Sequence, residues 1–132
     1  MVTRPSALRA ARGFTLIELM VVMAIIALLV GIAAPRYFQS VERAREGVLK
    51  TNLNLLRDAI DKHYADHGRY PGSLDELSAR RYVRKVPEDP VTGSDDTWVI
   101  VAPPAASGLT GVYDVHSGAP GAAIDGSPYA SW

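Results

Sequence analysis

The pattern of hydrophobic positions divides the chain into a continuous apolar run and a longer segment in which apolar and polar residues alternate. The run covers residues 14–34, about 21 positions, which as a helix is long enough to cross the roughly 30 Å hydrocarbon core of a bilayer. Its one charged residue is Glu18, and a carboxylate within a membrane span is by default a functional residue that needs a partner. The run therefore predicts a membrane-spanning helix with a role beyond anchoring.

Residues 36–67 change to an amphipathic pattern, in which apolar positions recur at helical spacing. We expect the helix to continue through them, with the lower part of its apolar face turned to neighbouring subunits and the upper part buried against a small sheet. Gly68, with Pro71 soon after it, ends the predicted helix. The apolar face has one stripe of Leu49, Leu53, Leu56, Ile60 and Tyr64, and an adjacent stripe of Val41, Ala44, Val48, Leu55 and Ala59.

Gly31 and Pro35 interrupt this long predicted helix. Proline has no amide hydrogen to donate to the carbonyl four residues earlier, and glycine is a poor helix former. The segment between these two residues is therefore expected to be a weak point of the helix.

A short second helix and a small sheet are predicted beyond the long helix. Ser73 is expected to cap the second helix, with Glu76 completing a capping box, and the helix should run to about Arg81. Residues 97–101 and 111–116 are rich in β-branched and aromatic side chains and predict the two strands of a hairpin. A lone hairpin is marginal, so it must pack on the long helix. The expected fold class is α+β, with a long N-terminal helix packed on a small antiparallel β-sheet.

The segment ahead of the apolar run is basic, with Arg4, Arg9 and Arg12 as its charged side chains. Positive residues hold that end of a membrane span in the cytoplasm, so the C-terminal part should lie outside. A secretory signal peptide is the first competitor, but its apolar core is usually only about 7 to 15 residues long. Cleavage after Gly13 would instead leave the apolar helix on the product, with a new amino group close to Glu18.

The hexad G-F-T-L-I-E at residues 13–18, between the basic leader and the apolar run, resembles the N-terminal signal of type IV pilins and type II secretion pseudopilins. The resemblance implies cleavage between Gly13 and Phe14 by a prepilin peptidase, and N-methylation of Phe14. It also implies that the helix lies first in the inner membrane and then in the core of a helical fibre. There Glu18 would pair with the amino group of Phe14 on a neighbouring subunit, which offsets the desolvation of both charges.

The resemblance continues along the chain and divides it into three parts. It implies that residues 1–13 are a cleaved basic leader, that residues 14–35 are a transmembrane and fibre-core helix, and that residues 36–132 are a periplasmic pilin-like domain that includes the upper half of the helix. The turn ADHGRYP at residues 65–71 and the terminal Trp132 resemble those of the major pseudopilins. In proteins of this kind the helix near its internal proline unwinds when the subunit enters the fibre, which the resemblance extends to this chain.

For the whole protein the resemblance implies a structural subunit of a helical homopolymer, the type II secretion pseudopilus, which drives export of folded proteins across the outer membrane. The implied partners are other copies of the chain, minor pseudopilins, the prepilin peptidase and the inner-membrane assembly platform. A type IV pilin for adhesion, twitching or DNA uptake is the first alternative. The second is a monomeric single-pass membrane anchor that presents a periplasmic binding domain. An anchor would keep its leader and give Glu18 no role.

Composition narrows these choices. The chain has 132 residues and no cysteine, which excludes a disulfide, a thiolate metal site and a thiol nucleophile. The missing cysteines and the small size favour the pseudopilin over the pilin. Basic residues alternate with acidic ones along the helix, and residues 86–132 contain six acidic side chains and no Lys or Arg, so nucleic-acid binding is not expected. No arrangement of catalytic residues is evident, and we do not expect an enzyme.

Two groups of residues have the chemistry of metal ligands. The C-terminal loop resembles a loop that commonly holds calcium in major pseudopilins, and Asp114, Ser117 and Asp125 would supply oxygen ligands. Because the loop has few aspartates, turn-forming roles for Asp114 and Asp125 are favoured over a calcium site. His63 and His67 have the spacing of metal ligands on a helix, but the favoured interpretation is two solvated imidazoles at a polar helix end.

Overall fold

The computed structural model describes residues 2–3 and 11–132, so Arg4 and Arg9 of the basic leader lie outside the described residues. The chain divides into two compact units, Met1–Phe38 and Gln39–Trp132. The elements, in chain order, are α1 (Leu16–His67), α2 (Leu74–Ala79), β1 (Val99–Val101), a 3-10 helix (Ala105–Ser107), β2 (Asp114–His116) and a second 3-10 helix (Tyr129–Ser131).

The first unit contains the apolar part of α1. The residues of this part of α1 lie on the surface almost without exception, so the rest of the described chain does not cover them. Gly31 and Pro35 both lie within α1 in this structure. The unwinding expected on entry into a fibre remains a prediction about that assembled state.

The core of the second unit forms where one face of α1 meets the strands, α2 and the loops around them. Of the first predicted stripe, Leu49, Leu53, Leu56 and Ile60 are buried, which confirms the helical register. Tyr64 is 39% exposed and stacks on Tyr70 with 4.6 Å between ring centroids. The core cluster is completed by Ala59, Leu74, Leu77, Val83, Val86, Trp98, Val112, Val115, Ala119, Ala123 and Tyr129.

The adjacent stripe was predicted to widen this apolar face, with its lower residues facing neighbouring subunits and its upper residues buried against the sheet. None of its lower residues is buried within the subunit, and in the upper part the prediction is wrong for Leu55. Leu55 is 44% exposed and Val48 is 49% exposed, whereas Ala59 is buried. The reason is geometric. The elements that cover α1 in this unit lie along one stripe, so residues to the side of that stripe stay on the surface. The exposed residues of the adjacent stripe are free to face another molecule.

The ends of the helices follow the predicted signals closely. Gly68 has φ +68° and donates its amide to the Tyr64 carbonyl at 2.8 Å, which ends α1. Ser73 caps α2 by accepting the Glu76 amide at 3.3 Å. The Glu76 carboxylate accepts the amide of Gly72 at 2.6 Å, one residue earlier than a standard capping box requires. The helix ends at Ala79, two residues before the predicted end.

The sheet is a single antiparallel pair, with Ile100 opposite Val115. Both strands have only three residues and are shorter than predicted. Trp98, predicted to be part of the first strand, instead buries its ring and donates its indole N–H to the Pro87 carbonyl at 2.8 Å. Beyond the three pairs, the Tyr113 amide still donates to the Val101 carbonyl at 2.9 Å, whereas Trp98 turns its side chain into the core. The α+β class with a long helix packed on a small sheet is confirmed.

Candidate processing, assembly and loop sites

The predicted cleavage site is exposed and lies just outside the helix. Phe14 is 89% exposed, and α1 begins two residues later at Leu16. A side chain added at Gly13 would meet no atom within 4 Å. The Gly13–Phe14 peptide bond is therefore open to a protease, and nothing in the fold itself requires glycine at this position.

Glu18 takes part in a capping box that the sequence signals but that the sequence analysis did not identify. Thr15 caps α1: its hydroxyl accepts the Glu18 amide at 3.2 Å, and the Glu18 carboxylate accepts the Thr15 amide at 3.1 Å. The pattern T-x-x-E directly before an apolar run is typical of this arrangement. In the single chain, Glu18 therefore has a hydrogen-bond partner and stabilises the first turn of the helix.

The apolar part of α1 has no cover within the described residues. It is long and apolar enough to cross a membrane, and none of its most apolar stretch is buried within the chain. Exposed patches of this size mark a surface that contacts lipid or another protein. Glu18 lies at the start of this surface, so any partner that covers the helix also decides the environment of the carboxylate.

The polar end of α1 differs from the prediction of two solvated imidazoles. His63 is fully buried, because the chain after Gly68 and α2 fold over it. Its Nδ1 lies 2.9 Å from the Arg69 carbonyl oxygen, and its Nε2 lies 3.4 Å from a carboxylate oxygen of Glu76. His67 is exposed, with its Nε2 3.2 Å from the hydroxyl of Tyr82. Within the part of the chain that the structure describes, His, Asp and Glu side chains form no group of three able to hold a metal.

Hydrogen bonds and charges at this end of the helix shift the pKa values of two side chains, Glu76 and Tyr82. The amide of Gly72 is the main cause of a lowered pKa at Glu76, followed by the favourable contacts with His63 and Arg80. The carboxylate of Asp66 accepts the Tyr82 hydroxyl at 2.6 Å and raises the pKa of that phenol. The carboxylate of Glu76 is thus stabilised as the anion that connects the end of α1 to α2.

The three predicted calcium ligands are each bound to a different partner. Asp114 accepts the Arg57 guanidinium at 2.8 Å. Ser117 is fully buried and donates its hydroxyl to Asp89 at 2.5 Å. Asp125 accepts both the amide and the hydroxyl of Ser127, at 2.9 and 2.6 Å, as a turn-forming aspartate does. Each of the three side chains therefore already has a hydrogen-bond partner of its own within the described residues.

Asp89 is a fully buried carboxylate that the sequence analysis did not single out. Its side chain accepts the Val91 amide at 2.9 Å in addition to the Ser117 hydroxyl. Its amide and carbonyl bond with Ser94 and Gly93, which closes the turn before β1. A buried carboxylate satisfied by donors in this way connects two loops that are distant in sequence.

Side chains on one face of α1 contact the C-terminal segment, residues 113–132. Glu46 accepts the Ile124 amide at 2.7 Å and the Tyr129 hydroxyl at 3.2 Å. The ammonium group of Lys50 lies 4.6 Å from the centre of the Trp132 ring. Sequence analysis missed these contacts, since charged residues on a helix face usually lie in solvent. The terminal aromatic residues were the available signal, because Tyr129 and Trp132 both contact this face of α1.

Comparison with known proteins finds similarity in the N-terminal segment and over most of the chain. A family model described as the prokaryotic N-terminal methylation motif matches residues 8–34. The chain is 31% identical over 125 residues to the type II secretion system core protein G of Escherichia coli strain K12, which covers 83% of this chain and 81% of that protein. It is 32% identical over 100 residues to the core protein G of Klebsiella pneumoniae, covering 64% and 71% of the two chains.

Similarity to a pilin is higher in identity but shorter. The chain is 41% identical over 66 residues to the type IV major pilin protein PilA of Myxococcus xanthus strain DK1622. That match covers 50% of this chain and only 30% of the pilin. No solved structure gives a significant match.

Proposed function

Since the chain belongs to the type IV pilin-like family, we propose that it polymerises into a type II secretion pseudopilus that drives export of folded proteins across the outer membrane. The observation that carries a fibre role is the apolar part of α1, none of whose most apolar stretch is buried within the chain. In the membrane, lipid covers this surface. In a fibre, the same surface of neighbouring copies covers it.

The cleavage motif connects these two states. Removal of the leader by a prepilin peptidase frees the amino group of Phe14, which is then N-methylated. When subunits leave the membrane for the fibre, the carboxylate of Glu18 exchanges its contact with Thr15 for the amino group of a neighbouring Phe14. This charge pair offsets the cost of desolvating both groups and fixes the axial position of each added subunit.

The extent of similarity favours a pseudopilus over a surface pilus. The relationship to core protein G of Escherichia coli covers 81% of that protein and so includes the domain beyond the helix, whereas the match to PilA covers 30% of the pilin. In this proposal the domain lies in the periplasm, the helix enters from the inner membrane, and minor pseudopilins and an inner-membrane assembly platform are its partners. A type IV pilin remains the second candidate, because the match to PilA has the higher identity, 41%.

The first experiment is the intact mass and N-terminal peptide sequence of the protein purified from the membranes of its source bacterium. We expect a chain that begins at N-methylated Phe14. A Gly13→Val variant is the matched control: the site has room for the side chain, so the variant should fold and insert but keep its leader. A wild-type chain that keeps its leader while the peptidase is active contradicts the fibre role.

A second experiment separates the pseudopilus from the pilus. The gene is deleted, and secreted proteins are measured in the medium and the periplasm while surface pili are counted by electron microscopy. A pseudopilus subunit predicts folded secreted proteins trapped in the periplasm and an unchanged number of pili. Loss of pili with normal secretion would assign the chain to a type IV pilus.

A further inference from the structure

We infer that three side chains of α1, Glu46, Lys50 and Arg57, hold the C-terminal segment in place of a calcium ion. We name these three residues the helix clamp. They lie on one face of α1, and all of their contacts fall within the unit Gln39–Trp132. The inference concerns the folded subunit and holds whether the chain assembles into a pseudopilus or a pilus.

Arg57 places a positive charge next to two oxygen atoms of the C-terminal segment, as a bound metal ion would do. Its Nε donates to the carboxylate of Asp114 at 2.8 Å, and a terminal nitrogen donates to the Val115 carbonyl at 2.9 Å. A carboxylate and a backbone carbonyl are the oxygen types that calcium binds in proteins. A guanidinium that donates two hydrogen bonds satisfies the same pair of oxygens and fixes their geometry.

The charges around Asp125 also oppose a divalent cation. Lys50, Arg57, Asp125 and Trp132 line one cavity of about 280 Å³. A calcium ion in this cavity would bring two positive charges close to two fixed cations, with a single carboxylate of the lining to offset them. That carboxylate already accepts two hydrogen bonds from Ser127, which, with a smaller effect of Lys50, lower the pKa of Asp125.

Glu46 supplies the opposite charge, and it binds donors instead of acceptors. One of its carboxylate oxygens accepts the Ile124 amide at 2.7 Å and the Tyr129 hydroxyl at 3.2 Å. Tyr129 is buried, and its ring contacts Trp132 with 5.3 Å between centroids. The three residues of the helix clamp therefore bind different parts of the C-terminal segment: Glu46 accepts from two donors, and Arg57 donates to two oxygen atoms. Lys50 lies over the aromatic ring of Trp132.

The test is hydrogen exchange of the full-length protein in detergent, followed at the amides of residues 113–129, with added calcium and then with an excess of chelator. We expect the same exchange rates in both conditions. A calcium ion that bound only the folded loop would slow the opening of that loop and so lower the exchange rates when calcium is present. Slower exchange or a higher melting temperature with calcium, abolished in Asp125→Asn, would overturn the inference.

Variants test each part of the helix clamp. Arg57→Gln should speed exchange near Asp114 and Val115 by about ten- to a hundredfold, the effect of losing hydrogen bonds from a charged group. Glu46→Gln should speed exchange at Ile124 instead. Lys62→Gln is the matched control, because Lys62 pairs with Asp58 on the exposed surface of the same helix.

The outcomes remain decisive if a variant is too unstable to measure. Unchanged exchange in both Arg57→Gln and Glu46→Gln would overturn the inference, as would an equal effect of Lys62→Gln. If Arg57→Gln fails to fold, the calcium and chelator arms on the wild-type protein, together with Glu46→Gln, give the answer.

Discussion

The two units of this chain obtain their stability in different ways. In the apolar part of α1 the side chains are exposed, and nothing among the described residues covers them. In Gln39–Trp132 the apolar side chains of α1 are buried against α2, the strands and the C-terminal segment. Burying one large aliphatic side chain is worth roughly 1.5 to 3 kcal/mol, so the second unit has a core of its own.

The difference shows that one helix can combine two kinds of surface. α1 contributes to both units, yet the apolar residues of its first part follow no stripe and those of its second part follow one. A surface that is apolar all round suits lipid and a fibre core, where neighbours approach from every side. A single stripe suits a domain that covers the helix from one side. Changes in the first unit should therefore affect assembly, and changes in the second should affect folding.

The largest effect is expected for Glu18→Ala in the first unit. If the carboxylate pairs with a neighbouring amino group in the fibre, its loss leaves a buried lone charge and costs about 3 to 5 kcal/mol per subunit contact. We expect processed, membrane-inserted protein with little fibre, measured by shearing and sedimentation, and an unchanged melting temperature of the domain. Fibres of normal yield would contradict the proposed pairing.

Two further variants separate this ion pair from the capping box of the same residues. Glu18→Gln can still accept the Thr15 amide but carries no charge, so it should assemble as poorly as Glu18→Ala. Thr15→Ala removes the helix cap, which costs about 0.5 to 2 kcal/mol, and keeps the charge. It should keep more fibre than Glu18→Gln does. The reverse order would assign the role of Glu18 to capping.

A smaller effect, on the other side of the comparison, is expected for Leu56→Ala. Leu56 is fully buried in the core, and truncation of such a side chain costs about 2 to 5 kcal/mol. We expect a lower melting temperature with normal cleavage of the leader. Leu55→Ala is the control, since Leu55 is next in sequence and 44% exposed. Equal destabilisation by both variants would contradict the assignment of a single buried stripe.

The smallest expected effect is the loss of stability in acid caused by Glu76. Its pKa is lowered from 4.5 in the folded protein, mainly by the Gly72 amide, so the anion favours folding. This contribution is complete above about pH 4.5 and disappears as the pH falls through the lowered pKa. As the pH falls below 4.5, the Glu76→Gln variant should therefore lose less stability than the wild type. Chemical denaturation across this range, with the exposed Asp75→Asn as control, measures the difference.

Most of the secondary structure could be predicted because its signals are local. The leucine stripe of α1, its end at Gly68 and the cap at Ser73 depend on residues within one or two turns of helix. The strands were predicted too long, because the same β-branched and aromatic pattern describes ladder residues and residues such as Trp98 that turn into the core. The predicted processing motif was readable for the same reason, since it occupies residues 13–18.

By itself the sequence determined the apolar run, the register of the buried stripe and the position of Glu18 near the start of that run. Only the tertiary structure decided which polar side chains meet. It buries His63 beneath the chain after α1, joins Asp89 to Ser117 and gives Asp114 to Arg57. Periodicity shows which face of a helix is apolar, but the partner of a charged residue depends on which distant loop folds over it. A ligand set inferred from residue types and a family resemblance therefore cannot show that its members are already bound to other side chains.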